Sequence, residues 1–305
     1  SNDGTLLGFY KSSGMKVLGV DPAKKIATEA TERGIETIVG FFTAGLAREI
    51  RDKRGPARVI TANNLFAHVD DLGGLVEGVR GLLDEDGVFV FEVSYLMDVV
   101  RDTLFDTIYH EHLDYHSVLP LKTFFAANGM ELIGAQPVPT HGGSLRAMAQ
   151  LAGGPHALNG PGGSVEKMIA QEKQAGLDRA ETFLGFADQI DQVRRELVEL
   201  LGNLKSEGKK IAAFGAPAKA TTLMYHFGIG PEIIDFIADD SPLKQGLYSP
   251  GLHIPVLSGD EIAKRKPDYL VILAWNFAEP IMKNYKFFQQ GGGRFIVPLP
   301  QVKVC

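Results

Sequence analysis

Apolar positions recur along this chain in two alternating series, separated by a long helical stretch. In the first series "MKVLGV" (Met15–Val20) reads as a strand closing on Asp21, followed by a helix over about Ala23–Arg33. "ARVITA" (Ala57–Ala62) predicts a second strand, Leu72–Leu83 a helix and "GVFVFEV" (Gly87–Val93) a third strand. This alternation argues for βαβ units and a mainly parallel sheet. A loop-rich insertion follows, after which Met130–Val138 and Ser144–Leu151 predict an antiparallel pair. The glycine- and proline-rich stretch Gly153–Gly163 reads as a linker. Ser164–Glu207 is predicted helical, as one helix or two, with Phe183, Phe186, Ile190, Val193, Leu197, Leu200 and Leu204 at core spacing. From Lys209 the alternation resumes: "KIAAFGA" as a strand entering a glycine turn, Pro217–Phe227 as a helix, then strands "IIDFIADD", "YLVILAW" and "RFIVPL". The predicted fold class is α/β, a Rossmann-like domain followed by a smaller second one and joined by a helical segment, with bounds 1–152, 153–208 and 209–305.

Charge and composition narrow the functions such a fold can carry. A formal net charge of -6 offers no basic face for DNA or RNA, so no nucleic-acid partner is expected. The single cysteine, Cys305, excludes an internal disulfide framework and a cysteine zinc site within these residues; it fits a reducing compartment, so a cytoplasmic location is expected. No apolar run reaches membrane-span length, and no membrane partner is expected.

The opening "SNDGTLL" places a glycine turn before a helical start, and the next strand ends on Asp21, about 20 residues on, as in mononucleotide-binding layouts. Gly4 allows close backbone approach to a ligand, and Asp21 can accept from ribose hydroxyls. The dinucleotide fingerprint G-x-G-x-x-G is absent, and Asp3 would repel a pyrophosphate but can bind an ammonium. S-adenosylmethionine carries an ammonium and a ribose but no phosphate. Asn2, Asp3, Gly4, Asp21 and Pro22 are therefore expected at the cofactor, with helix capping by the two aspartates as the alternative. "TANNLFAHVDD" adds Asn63, Asn64, Phe66 and His68 at a carboxyl strand edge, with Phe66 or Leu65 bordering the ligand or belonging to the core.

The densest titratable cluster is "FDTIYHEHLDYHS": Tyr109, His110, Glu111, His112, Tyr115 and His116 fall within eight residues. Histidine suits proton transfer near neutrality, and an adjacent carboxylate or tyrosine can orient it. The spacing is wrong for H-E-x-x-H, so no metal is expected here. "THGGSLR" (Thr140–Arg146) is a second polar segment, in which glycines expose amides and Arg146 can bind an anion or cover the sheet edge.

Together "SNDGTLL", "VLGVDPA", "ANNLFAHVDD", "YHEHLDYHS", "HGGSLR", "AAFGAPAKATTLM" and "DDSPLKQGLYSPGLHIPV" resemble the S-adenosylmethionine-dependent sugar C-methyltransferases, which act at C3 of nucleotide-linked 4-keto-deoxyhexoses. The resemblance covers essentially all of these residues. It implies a methyltransferase domain, then a C-terminal Rossmann-like domain that helps hold the nucleotide-sugar. It also implies an apolar strand and a small cysteine-rich zinc domain upstream of Ser1, so zinc is expected only there and cofactor binding by residues 1–305 alone is expected to be weakened or absent. By resemblance His112 is the candidate base with His110 as runner-up, and Glu111 and Tyr109 position or polarise ketone and hydroxyl groups. Tyr115, His141, Gly142 and Arg146 are expected to contact a small-molecule substrate, with Lys219 at a helix start and Lys244 near a strand end as candidate diphosphate partners. Competing readings are methyl transfer to oxygen, nitrogen or a non-sugar carbon acid, a non-catalytic ligand-binding protein and, last, an NAD-dependent oxidoreductase.

Overall fold

A computed structural model describes residues 1–156 and 163–305 of the chain. Part of the expected linker, residues 157–162, lies outside the described residues. Contacts divide the chain into two compact units that interleave in sequence: residues 1–93, 116–138 and 145–171, and residues 94–115, 139–144 and 172–305.

The first unit begins with α1 (Thr5–Ser12), entered through Gly4 at φ 79, a left-handed conformation that glycine adopts without cost. The chain continues through β1 (Gly19–Asp21), α2 (Lys24–Glu32), β2 (Thr37–Val39), α3 (Ala44–Arg54) and β3 (Ala57–Asn63). Thr43 caps α3 by accepting from the Leu46 amide, and Asp71 caps α4 (Leu72–Leu82) by accepting from Gly74. α4 runs directly into β4 (Leu83–Ser94). β1 pairs in parallel with β2 over three residues only, so the strand expected from Met15 forms a ladder only from Gly19 onward. β3 pairs in parallel with β4.

After Ser94 the chain passes into the second unit through α5 (Leu96–Arg101) and a 3-10 turn at Phe105–Thr107, then returns. The first unit resumes with α6 (Val118–Ala127), β5 (Met130–Val138) and β6 (Ser144–Leu151), and its four-stranded sheet has the order β3-β4-β6-β5. Part of its core is aromatic: Phe66, Phe89, Phe91 and Phe125 are fully buried, with ring centroids 4.9 Å apart for Phe66–Phe91 and 6.0 Å for Phe66–Phe125.

The predicted helical stretch forms two helices, α7 (Ser164–Ala175) and α8 (Ala180–Ser206). Val193, Leu197 and Leu204 are buried as expected, whereas Phe183 is 38% exposed and lies off the core face. The second unit then builds β7 (Ile211–Phe214), α9 (Ala218–Phe227), β8 (Ile237–Ala238), β9 (Val256–Leu257), α10 (Asp260–Arg265), β10 (Tyr269–Ile272), α11 (Ala278–Asn284), α12 (Lys286–Gln290), β11 (Arg294–Val297) and β12 (Lys303–Val304). Strand order is β12-β11-β10-β7-β8-β9, parallel throughout except for the antiparallel β11–β12 pair. Side chains alternate across this sheet with the strand period of two. Ile211, Ala213, Val271 and Ile296 pack with Leu197, Leu201, Leu223 and Phe227 on one face; Ala212, Phe214, Leu270, Ile272 and Phe295 pack with Ile281 and Phe288 on the other. β7 is flanked by β8 on one side and β10 on the other, so the order reverses between β7 and β10. At such a reversal, a doubly wound sheet opens a crevice at the carboxyl ends of its strands. Both units are thus α/β and Rossmann-like. Among the described residues no helix is long and apolar enough to cross a membrane.

Candidate functional site

The first cluster lies at the carboxyl end of β1. Asn2 donates its amide to Asp21 Oδ2 at 2.7 Å, Ser1 N donates to the Val20 carbonyl at 2.7 Å, and Ala23 N donates to Asp21 Oδ1 at 2.9 Å. The "SNDG" turn is therefore tied to the strand end that carries Asp21. Burial pushes the Asp21 carboxyl up, but the amides of Ala23 and Asn2 outweigh that and hold it below the usual carboxylate range. Asp3 accepts from the amide and hydroxyl of Thr5, and those bonds lower its carboxyl too. Both aspartates therefore make the capping-type bonds that the sequence allowed. As exposed or part-exposed acceptor-only groups, each keeps lone pairs for a ligand.

Asn63, Asn64 and His68 are exposed at the carboxyl end of β3, as expected of ligand-facing residues, and Pro22 is exposed beside Asp21. Phe66 departs from that expectation. It has no exposed surface and packs against Phe89, Phe91, Phe124, Phe125 and His116, so its ring belongs to the core and not to a cofactor wall. The exposed neighbour is Leu65.

The second cluster belongs to the second unit and is organised by one backbone carbonyl. His112 Nδ1 lies 2.7 Å from the Thr107 oxygen, and the Tyr115 hydroxyl donates to that oxygen at 2.8 Å. A carbonyl only accepts, so Nδ1 is the protonated nitrogen of neutral His112 and Nε2 carries the lone pair. The Thr107 hydroxyl in turn donates to the Leu104 carbonyl at 2.7 Å, bracing the turn. Tyr109 packs on His112 with ring centroids 4.5 Å apart, and Tyr115 lies edge-on at 6.3 Å. Burial, then Glu111 and Asp106, pushes the Tyr109 hydroxyl up, and burial pushes Tyr115 up to about 12. Both are thus protonated donors at neutral pH. His110 and Glu111 differ from these: their side chains are 88% and 55% exposed, and the pair is 4.0 Å apart.

Residues 139–300 match the family described as the C-methyltransferase C-terminal domain. The full chain is 39% identical over 304 residues to the C-methyltransferase NovU of Streptomyces niveus, covering 100% of this chain and 72% of that protein. The chain belongs to the C-methyltransferase family. Among solved structures, an S-adenosylmethionine-dependent methyltransferase from Anabaena variabilis is 15% identical, with a TM-score of 0.40 over 49% of this chain and 74% of its own. The magnesium protoporphyrin IX methyltransferase of Synechocystis, solved with bound S-adenosylhomocysteine, is 13% identical, with a TM-score of 0.38 over 48% of this chain and 69% of its own.

In this C-methyltransferase the other expected substrate residues have varied surroundings. Arg146 places Nε and Nη2 on Glu92 Oε2 at 3.1 and 2.8 Å, so the guanidinium covers a carboxylate that is 5% exposed. His141 and Gly142 lie in the 3-10 turn Thr140–Gly142 of the second unit. Lys219 is nearly enclosed and ion-paired with Asp106. Lys244 is 44% exposed, 3.5 Å from Asp239, and lines a cavity of about 190 Å³ with Pro217, Thr221, Leu247 and Tyr248. Two features of the candidate site left no mark in the sequence: the Thr107 carbonyl, because a backbone oxygen has no residue signature, and the partner of Lys219.

Gly143, at φ 137, presses on Asp98; a Cβ there would fall 2.5 Å from Asp98 Oδ2 and 2.6 Å from its Cβ. Gly143→Ala is therefore expected to lower stability by roughly 1–3 kcal/mol, read by thermal or urea melts. An unchanged melt would show that the turn relaxes freely. Among the described residues no group of three or more His, Cys, Asp or Glu is placed to hold a metal ion.

Proposed function

We propose that this C-methyltransferase moves a methyl group from S-adenosylmethionine to the carbon beside a ketone, C3 of a nucleotide-linked 4-keto-deoxysugar. The observation that carries the reading is the Thr107 carbonyl, which makes Nδ1 of His112 the donor and so leaves the basic lone pair on Nε2. Carbon is a nucleophile only after a base removes its proton, and a neutral imidazole with that tautomer suits the task. Nε2 takes the C3 proton, the C–H electron pair enters the enolate, and the ketone oxygen gains negative charge. Tyr109, held protonated, donates to that oxygen. Glu111 and Tyr115 orient the sugar and the imidazole.

The donor set at β1 and β3 fits S-adenosylmethionine: Asp3 for the ammonium, Asp21 for ribose hydroxyls, Gly4 for close approach, and Asn2, Pro22, Asn63, Asn64 and His68 as the surrounding edge. When bound, it supplies the electrophilic methyl. Lys244, partly open beside a cavity, is the better candidate for a diphosphate oxygen.

The test is mass spectrometry of the full-length protein with S-adenosylmethionine and a panel of nucleotide-linked 4-ketosugars, alongside exchange of the C3 proton into deuterated water. A methyl gained on oxygen or nitrogen, without exchange at carbon, would refute the reading. Asp21→Ala is expected to weaken S-adenosylmethionine binding by about 1.5–3 kcal/mol, the worth of hydrogen bonds to a charged group. Titration calorimetry measures it, and unchanged affinity would remove Asp21 from the cofactor site.

A further inference from the structure

The crevice between the carboxyl ends of β7 and β10 is where a doubly wound sheet takes its ligand. In the second unit the chain's own segment stands there. Asp106, in the 3-10 turn just before the histidine cluster, is fully buried. Its Oδ2 accepts from Trp275 Nε1 at 2.6 Å and lies 3.4 Å from Lys219 Nζ. Trp275 follows β10, and Lys219 lies in the first turn of α9, behind β7. The Lys219 ammonium also sits 3.9 Å from the Trp275 ring centroid, a cation–π contact, with its side chain 14% exposed.

Neighbouring contacts hold both flanks of this segment to α9. Phe105 stacks on Phe227 at 5.0 Å, and the Thr222 hydroxyl lies 3.5 Å from the Ile108 carbonyl. The groups that would greet a nucleotide are engaged internally: Asp239, at the end of β8, accepts from Ala216 N at 2.7 Å and Ser241 N at 2.8 Å. Gly215, at φ 89, lets the strand ends close up; a Cβ there would fall 2.6 Å from that of Ala274.

We propose that Asp106 is a positioning residue for methyl transfer, a built-in carboxyl in the switch-point crevice whose bonds to Lys219 and Trp275 set the placement of the Tyr109–His112 segment. Burial pushes the Asp106 carboxyl up and the Lys219 ammonium down, and their mutual attraction opposes both shifts. Removing either member leaves the other buried and unpaired, a costly state that the segment relieves by leaving the crevice. The inference rests on the proposed role of the Tyr109–His112 segment, and it assigns Lys219 to this internal pair instead of to a diphosphate.

Trp275 is the single tryptophan of the chain, so its fluorescence reports on the trio directly. In full-length protein Asp106→Asn and Lys219→Met are expected to red-shift the emission and expose it to acrylamide. Their kcat should fall about tenfold to a hundredfold, the scale of a misplaced reacting group, while KM for the acceptor and affinity for S-adenosylmethionine change less than about threefold. Lys219→Arg, which keeps the charge and the ring stacking, should recover most of kcat. A kcat in Asp106→Asn within about twofold of wild type would overturn the proposal, whatever the emission does. Should that variant fail to fold, equal kcat for Lys219→Arg and Lys219→Met would overturn it instead. His112→Ala, assayed in parallel, separates the two ideas: retained proton exchange there removes the base assignment, while the Asp106 comparison is still read through kcat.

Discussion

His112→Ala is expected to abolish exchange of the acceptor's C3 proton with deuterated water and to lower kcat about 10²–10⁴-fold, the range of a lost general base. The expectation follows from two bonds to one atom. The Thr107 carbonyl receives His112 Nδ1 at 2.7 Å and the Tyr115 hydroxyl at 2.8 Å, so both ring orientation and tautomer are set by backbone already in place. His110, with its side chain 88% exposed, has no comparable anchor among the described residues, and His110→Ala is expected to keep exchange within a few-fold of wild type. Full exchange in His112→Ala together with loss in His110→Ala would reverse the assignment. Binding of S-adenosylmethionine, proposed for the first unit, should be unaffected in both variants, which separates lost chemistry from lost folding.

Phe66→Ala should cost the first unit about 3–5 kcal/mol, measured as a fall in the urea midpoint at constant slope. The ring is fully buried and stacks on Phe91 at 4.9 Å and Phe125 at 6.0 Å, so its removal leaves a cavity walled by other rigid rings. Such walls collapse poorly, which puts the cost toward the upper end. Leu65→Ala, one position away and 42% exposed, should shift stability by less than about 1 kcal/mol. A Phe66→Ala loss under about 1 kcal/mol, with S-adenosylmethionine affinity falling instead, would return this ring to the cofactor site.

The adjacent pair Leu65 and Phe66 also shows where sequence reading stopped. Both are apolar and lie at a strand's carboxyl edge, where a ligand wall and a core look alike; only burial separates them. Elements with a clear period were legible. Met130–Val138 and Ser144–Leu151 are largely apolar and separated by turn residues, and the strands have those bounds. α6 was hidden because "VLPLKTFFAA" is apolar around much of its circumference, and β2 because three residues make no pattern. The histidine cluster was conspicuous as chemistry, but a sequence cannot say which of two rings separated by one residue meets a carbonyl. From the sequence, Lys219 reads as a candidate diphosphate partner at a helix start. Its partner lies 113 positions earlier in the chain (219 − 106), beyond the reach of any local pattern.

The interleaving of the two units bears on synthesis. Asp106 and Trp275 are 169 positions apart, and the segment between them includes most of the second unit's sheet. At about 5–20 residues per second on a ribosome, Asp106 emerges roughly ten to thirty seconds before the indole that will hold it. Throughout that interval its carboxylate stays hydrated and the histidines beside it have no crevice to dock against. The first unit therefore has time to bury its phenylalanines while the Tyr109–His112 segment is still undocked, and the Asp106–Trp275 contact forms only when β10 and Trp275 have been made.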